Sequence, residues 1–66
     1  MKVIANETEF ELETGSSLSA FLDSIGHQVG LVVVERNREA LSPSEAENTI
    51  LEDGDRLEIV RIVAGG

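Results

Sequence analysis

The residues most able to take part in a chemical reaction are the two glycines at the end of the sequence, Gly65 and Gly66. Because glycine has no Cβ atom, such a tail can thread a narrow channel and adopt backbone angles closed to other residues. Nothing on Gly66 crowds a nucleophile that attacks its carboxyl carbon. The tail is therefore a candidate reactive group, although composition alone favours the ordinary interpretation of a frayed chain end.

Other chemical groups are sparse. The chain has no cysteine, which excludes disulfides, zinc–thiolate sites, a thiol nucleophile and any persulfide on a side chain. The single histidine, His27, has no carboxylate–nucleophile arrangement near it, so we interpret it as a loop residue. The three acidic residues within positions 52–55 lack the ligand spacing of a calcium loop. We therefore expect no catalytic residue, no metal site and no enzyme activity of its own.

Size and charge limit the function further. A chain of 66 residues forms one small domain with little room for an internal active site. Thirteen acidic and five basic residues give a net charge of −8, which disfavours nucleic acid and anionic membranes and favours a basic protein surface. No apolar run approaches the roughly 20 residues of a membrane span, and no signal peptide is visible. We expect a cytoplasmic protein that is monomeric when free.

The first half of the sequence predicts a hairpin and a helix. Residues 2–6 and 9–13 have strand patterns, and residues 6–8 are short enough to join them. A helix of roughly eight residues follows, capped by Ser17 or Ser16 and ended by a left-handed Gly26. Its apolar stripe has the spacing i, i+3, i+4, i+7. The stripe consists of Leu18, Phe21, Leu22 and Ile25.

The second half predicts mainly strands. Residues 31–35 form the most β-branched segment, followed by a turn at residues 37–38 and a short return strand at 39–41. Ser44 is predicted to cap one helical turn, with Glu47 at the capping-box position. Ile50 and Leu51 are expected in the core. A tight turn at residues 52–55 precedes a final strand that runs into the tail.

This order of elements predicts an α+β fold. A helical crossover after an antiparallel hairpin permits parallel pairing of the first and last strands. The result is a β-grasp (ubiquitin-like) domain, with a mixed four- to five-stranded sheet and one main helix packed on one face. We expect this domain over residues 1–62, followed by a flexible tail over residues 63–66.

Strand parity also predicts the face of the sheet that is opposite the helix. It places Ile4, Val33, Val60 and Ile62 there, on strands expected to be central and next to the tail. Scattered exposed aliphatic side chains are ordinary, but a cluster on adjacent strands is a candidate docking patch for a partner.

Several stretches together resemble a known family. They are residues 1–6, the helix after Gly15, residues 34–37, residues 52–60 and the closing Gly65 and Gly66. In this order they resemble the small ubiquitin-like sulfur carriers, and most closely the ThiS family of thiamine biosynthesis. The family often has a glycine-containing turn where this sequence has residues 37–39, and a basic residue where it has Ser44.

The resemblance implies a chemistry for the tail. A partner activating enzyme uses ATP and Mg²⁺ to adenylate the Gly66 carboxylate, and sulfur from a persulfide donor then gives a thiocarboxylate. Thiazole synthase receives that sulfur. By the same resemblance, Val63, Ala64 and Gly65 thread the partner's active site, and the chain itself binds no cofactor.

The sequence leaves other functions open. Carriers for molybdopterin or tRNA thiolation share the same ending, as do ubiquitin-like protein modifiers. With Lys2 as the only lysine, chain building of the ubiquitin kind has almost no acceptor here. A function from another class is a non-covalent β-grasp interaction module that binds through the docking patch and needs no modification.

Overall fold

A computed structural model describes residues 1–63 and places five strands in one mixed sheet. In chain order the elements are β1 (Lys2–Ala5), β2 (Thr8–Glu11), α1 (Leu18–Ser24), β3 (Val32–Arg36), β4 (Glu39–Leu41), α2 (Pro43–Glu47) and β5 (Arg56–Arg61). The strand order is β2-β1-β5-β3-β4, with β1 parallel to β5 and every other pair antiparallel. This topology confirms the predicted β-grasp fold, with five strands rather than four.

The core lies between one face of the sheet and the two helices. Phe10 lies at its border and packs edge-on against Phe21 of α1, with 5.1 Å between ring centroids. Ile50 was expected to be inside but is exposed, because adjacent residues of an extended segment point to opposite sides and Leu51 takes the inner one. The buried hydrophobic residues are Val3, Ala5, Leu18, Phe21, Leu22, Val32, Val34, Ala46, Leu51, Leu57 and Ile59.

Helix α1 begins and ends where the sequence predicts. The Ser17 hydroxyl accepts a hydrogen bond from the Ala20 N–H at 3.0 Å, which satisfies one of the free donors of the first turn. The chain leaves the helix through Gly26 at a φ of 85°, the left-handed conformation that glycine adopts without strain. Neither helix within residues 1–63 is long and apolar enough to span a membrane.

Helix α2 is capped by Ser42, so the prediction of Ser44 as the cap and Glu47 as its partner is wrong. The Ser42 hydroxyl accepts from the Glu45 N–H at 3.1 Å, and the Glu45 carboxylate accepts from the Ser42 N–H at 2.8 Å. Hydrogen bonds to the Glu45 carboxylate, first from the Ser42 backbone N–H and then from the Ser42 side chain, hold the pKa of Glu45 below its usual value. Pro43 favours this start because its fixed φ suits the first helical position.

Both hairpins turn on two residues with positive φ. Asn6 and Glu7 have φ angles of 47° and 69°, and Asn37 and Arg38 have 51° and 71°. Positive φ at both positions matches the right-handed twist of the flanking strands, which is why short hairpins favour it. Asparagine tolerates this region, whereas Glu7 and Arg38 adopt it at a cost that glycine avoids.

We therefore expect Arg38→Gly to stabilise the fold. Relief of the left-handed strain, less the extra entropy that glycine loses on folding, should raise the free energy of unfolding by about 0.5–1 kcal/mol. Urea titration of the two proteins measures the change. Arg38→Ala is the matched control, since it removes the same side chain without freeing the backbone. A gain in Arg38→Ala equal to that in Arg38→Gly would contradict the strain explanation.

The turn between β3 and β4 is tied to the start of β5 by Asp55, which is 5% exposed. One carboxylate oxygen accepts from the Arg36 Nε at 3.0 Å and from the Glu52 N–H at 2.8 Å. The other accepts from the Asn37 Nδ2 at 3.0 Å. Burial raises the pKa of Asp55, but the hydrogen bonds from Glu52, Asn37 and Arg36 outweigh it and hold that pKa below its ordinary 3.8.

This depressed pKa predicts acid sensitivity. The stabilisation from ionised Asp55 is complete above pH 3.8, its ordinary pKa, and is lost as the pH falls through the lower pKa of the folded state. Asp55→Asn should lower the free energy of unfolding at pH 7 by about 2 kcal/mol. It should also flatten the loss of stability below pH 4. Denaturant melts from pH 7 to pH 2, with the exposed Asp23→Asn as a charge control, test this. Parallel pH profiles for the wild type and Asp55→Asn would contradict it.

Candidate functional site

Strand β5 carries the chain from the centre of the sheet to the tail. The Ile62 N–H donates to the Leu31 carbonyl at 3.0 Å, so pairing with the β3 side continues one residue past the strand. Val63 follows and is 85% exposed. The predicted reactive Gly66, with Ala64 and Gly65, lies outside the described residues. The candidate site within residues 1–63 is therefore the surface next to Val63.

An aliphatic patch lies on the open face of the sheet beside this point. Val33 and Val60 are directly opposite each other, and Leu31 and Ile62 occupy the next position of the same register. Opposed residues share one face of a sheet, and none of these four is covered by the rest of the chain. Their exposed fractions are 61% for Leu31, 47% for Val33, 60% for Val60 and 56% for Ile62. We call these four residues the aliphatic patch.

Ile4 was predicted to belong to the docking patch, and the structure separates it from the other three residues. It is half-buried and pairs with Arg56, at the start of β5. Val60 lies four residues further along the same strand, or roughly 13 Å at the rise of an extended chain. Strand alternation predicted the correct face of the sheet for Ile4. It does not determine the register of β1 against β5, and the register sets the distance from Ile4 to the patch.

Leu31 is the member of the patch that the sequence interpretation missed. It begins the segment from residue 31 to 35 that was predicted as a strand, and it has the same parity as Val33. Strict alternation along that segment would have placed it on the open face. Whether a partner docks on the patch stays a prediction.

Charged side chains border the patch away from the tail. Glu35 and Glu58 are directly opposite each other, a like-charge pair that is unfavourable across two strands. A basic group from a partner would relieve that repulsion. Beyond them, Ile4, Arg38 and Arg56 line a groove of about 220 Å³ together with acidic residues. The open face is therefore charged at one end and apolar at the other, and the apolar end lies next to Val63.

On the helix side, a groove of about 360 Å³ separates the end of α1 from the end of β5. Asp23, His27 and Arg61 line it, and His27 is half-buried in the loop after the helix, in agreement with its interpretation as a loop residue. Among residues 1–63, no group of three or more acidic or histidine side chains is placed to hold a metal ion.

The class defined by this fold is the β-grasp domain, here with an exposed Val63 after the last strand, beside an apolar sheet face. The chain matches the ThiS family over residues 1–66 and belongs to it.

Solved structures of a thiamine biosynthesis protein (ThiS) from Geobacter metallireducens are similar to this chain. The crystal structure has a TM-score of 0.80 and 25% identity, and the alignment covers all of both chains. The solution structure has a TM-score of 0.75 at the same identity and covers 88% of that chain.

Curated relatives carry another name. A thiazole synthase from Paramagnetospirillum magneticum is 35% identical over all 66 residues, and one from Magnetococcus marinus is 30% identical. The chain spans only a fifth of the length of each of these relatives. A stretch similar to the whole chain is thus one part of a longer polypeptide in both.

Proposed function

We propose that this chain is a sulfur carrier for formation of the thiamine thiazole, and a protein substrate of other enzymes rather than an enzyme. Membership of the ThiS family supports a carrier role in thiamine synthesis, as does the shared fold with a thiamine biosynthesis protein. The structural observation that carries the proposal is the course of β5. The central strand leaves the sheet at Val63 beside an apolar surface, which suits delivery of a tail to a partner.

The proposed reaction begins at the Gly66 carboxylate, which is a poor electrophile near neutral pH. On a partner activating enzyme, a carboxylate oxygen attacks the α-phosphorus of Mg²⁺-bound ATP, and pyrophosphate leaves. The terminal sulfur of a donor persulfide then attacks the acyl carbon, and AMP leaves. A reducing thiol then attacks the donor-side sulfur of the resulting acyl disulfide, which releases the thiocarboxylate and leaves a mixed disulfide on the donor. A second reducing thiol attacks that mixed disulfide, which returns the donor's thiol and leaves a disulfide of the two reducing thiols.

The composition of the chain fits this division of labour. The sequence contains no phosphate-binding loop of its own, so the ATP chemistry belongs to the activating enzyme. It contains no cysteine, so sulfur can be carried only at the C-terminus. Ala64 and Gly65 have small side chains or none. Together with Val63 they would form the narrow segment that enters the partner's active site ahead of Gly66.

Thiazole synthase is the proposed recipient of the sulfur. Two relatives of that name contain a stretch similar to this whole chain within a polypeptide about five times as long. In such a protein, the stretch similar to this chain is joined covalently to the rest of the polypeptide. This joining supports contact between this chain and a separate thiazole synthase. The proposed sequence is therefore activation, sulfur loading and delivery to thiazole synthase.

A second candidate is a non-covalent interaction module, and the aliphatic patch is the observation that favours it. Four exposed aliphatic side chains on two paired strands could bind a partner without any modification of the tail. Loss of Gly66 distinguishes the two functions. Its deletion abolishes sulfur carriage and leaves binding through the patch intact.

The sulfur-carrier proposal predicts a mass change at the C-terminus. Incubation with the cognate activating enzyme, ATP, Mg²⁺, a persulfide donor and a thiol should add the mass difference between one sulfur and one oxygen. Intact-protein mass spectrometry measures it, and fragmentation should assign the change to Gly66. The starting mass also reports whether the cellular chain ends at that residue. A chain without Gly66 is the control. No change in the full chain would contradict the proposal, as would a change that survives the deletion.

The patch predicts a separate binding defect. Val60→Asp should weaken binding to the activating enzyme and to thiazole synthase roughly tenfold or more, because an exposed valine that becomes buried on binding contributes about 1.5–3 kcal/mol. Titration calorimetry measures the affinities. Ala40→Asp adds the same charge on the same face, at an exposed position on the outer strand β4. Equal losses in the two variants would indicate a general charge effect and contradict docking at the patch.

A further inference from the structure

The last part of β5 has an open edge, and the hydrogen-bond pattern shows where it begins. Even-numbered residues of β5 direct their main-chain groups toward β3. The Arg56 carbonyl accepts from the Asn37 N–H at 2.8 Å, and the Ile62 N–H donates to Leu31. Odd-numbered residues therefore face β1, as the bond from the Asn6 N–H to the Leu57 carbonyl at 2.9 Å shows.

Strand β1 is too short to cover all of that side. It pairs with β5 only as far as Leu57 before Asn6 and Glu7 reverse the chain. The Asn6 side chain then takes the place of one more strand residue. Its Oδ1 accepts from the Ile59 N–H at 2.7 Å, and its Nδ2 donates to the Ile59 carbonyl at 3.0 Å.

Arg61 is the next residue whose main-chain N–H and C=O point to this side. Within residues 1–63, no strand lies opposite it there. The central strand of the sheet thus has one fully paired edge, toward β3, and one edge that is free from Arg61 onward. We call the free side of residues 61–63 the open edge.

We propose that an extended segment of thiazole synthase pairs with the open edge and so adds a strand to the sheet beside the tail. This inference rests on the proposed function, which makes thiazole synthase the recipient of the sulfur. Strand addition to an exposed edge gives affinity through main-chain hydrogen bonds, while side chains on the two faces give specificity.

Three observations favour this occupant. The open edge immediately precedes residues 64–66 in the sequence, so a protein that binds the tail comes close to this edge. The aliphatic patch lies beside it on one face, where an apolar side chain of the added strand would pack. On the other face, Arg61 forms no ion pair within residues 1–63, which offers a place for a carboxylate of the added strand.

Pairing between two copies of this chain is the competing use of the same edge. A net charge of −8 on each copy opposes it. The charge instead favours a partner whose surface is basic around the added strand.

A chain of 66 residues can be made by chemical synthesis, which allows a single main-chain N–H to be removed. We would replace the amide nitrogen of residue 61 by an ester oxygen and leave every side chain unchanged. The same exchange at residue 40 is the matched control. Ala40 pairs with Glu35, whose own main-chain groups face β5, so the Ala40 N–H points away from the sheet on an outer edge remote from the tail.

Calorimetric titration of thiazole synthase with the native chain and the two esters tests the proposal. The ester at residue 61 should bind roughly three- to tenfold more weakly, the loss of one intermolecular hydrogen bond. The ester at residue 40 should bind like the native chain, and both should melt with the native transition.

Each contrary result has a separate meaning. If the native chain is thiolated and binds thiazole synthase, but both esters bind equally well, the open edge is not used and the proposed function stands. If the native chain neither gains sulfur nor binds the synthase, both proposals fail. If the ester at residue 61 weakens only the activating enzyme, or only dissociates a dimer seen in sedimentation, thiazole synthase is not the occupant.

Discussion

The parallel pairing of β1 with β5 is the contact on which the rest of this structure depends. It places the last strand at the centre of the sheet, where Leu57 and Ile59 lie in the core with α1. The paired stretch is short, and the Asn6 side chain extends it by bonding both main-chain groups of Ile59. Within residues 1–63, no further group pairs with this side of the strand after Asn6, although β5 continues to Arg61.

One strand therefore has two roles along its length. Leu57 and Ile59 supply buried side chains, whereas Val60, and Ile62 just after the strand, contribute to the aliphatic patch. Hydrogen bonds from Arg36 and Asn37 to the Asp55 carboxylate hold the start of β5, which is the end of the strand remote from the tail. The start of β5 is thus held by side-chain hydrogen bonds and its end is exposed, an arrangement that fits the proposed delivery of the tail to a partner.

Local patterns in the sequence predicted the hairpins, the cap at Ser17 and the open face of the sheet. Strict alternation would also have placed Ile50 and Leu31 correctly, whereas two other errors arose where local solutions compete or where the answer is non-local. Ser42 and Ser44 both have a glutamate three residues on, and only Pro43 at the first helical position decides between them. The separation of Ile4 from the patch depends on register between the two ends of the chain. The pairing of Asn6 with Ile59 spans 53 residues, and no local pattern reports it.

Amide hydrogen exchange of the free chain tests most directly whether pairing on one side of β5 ends at Ile59. We predict slow exchange at Ile59 and Ile62, whose N–H groups donate to Asn6 and Leu31, and much faster exchange at Arg61 between them. Fraying from the tail cannot produce this order, because Ile62 lies closer to the chain end. Protection of the Arg61 N–H equal to that of Ile59 and Ile62 would show that this side of β5 is paired beyond Ile59, and would contradict the open edge.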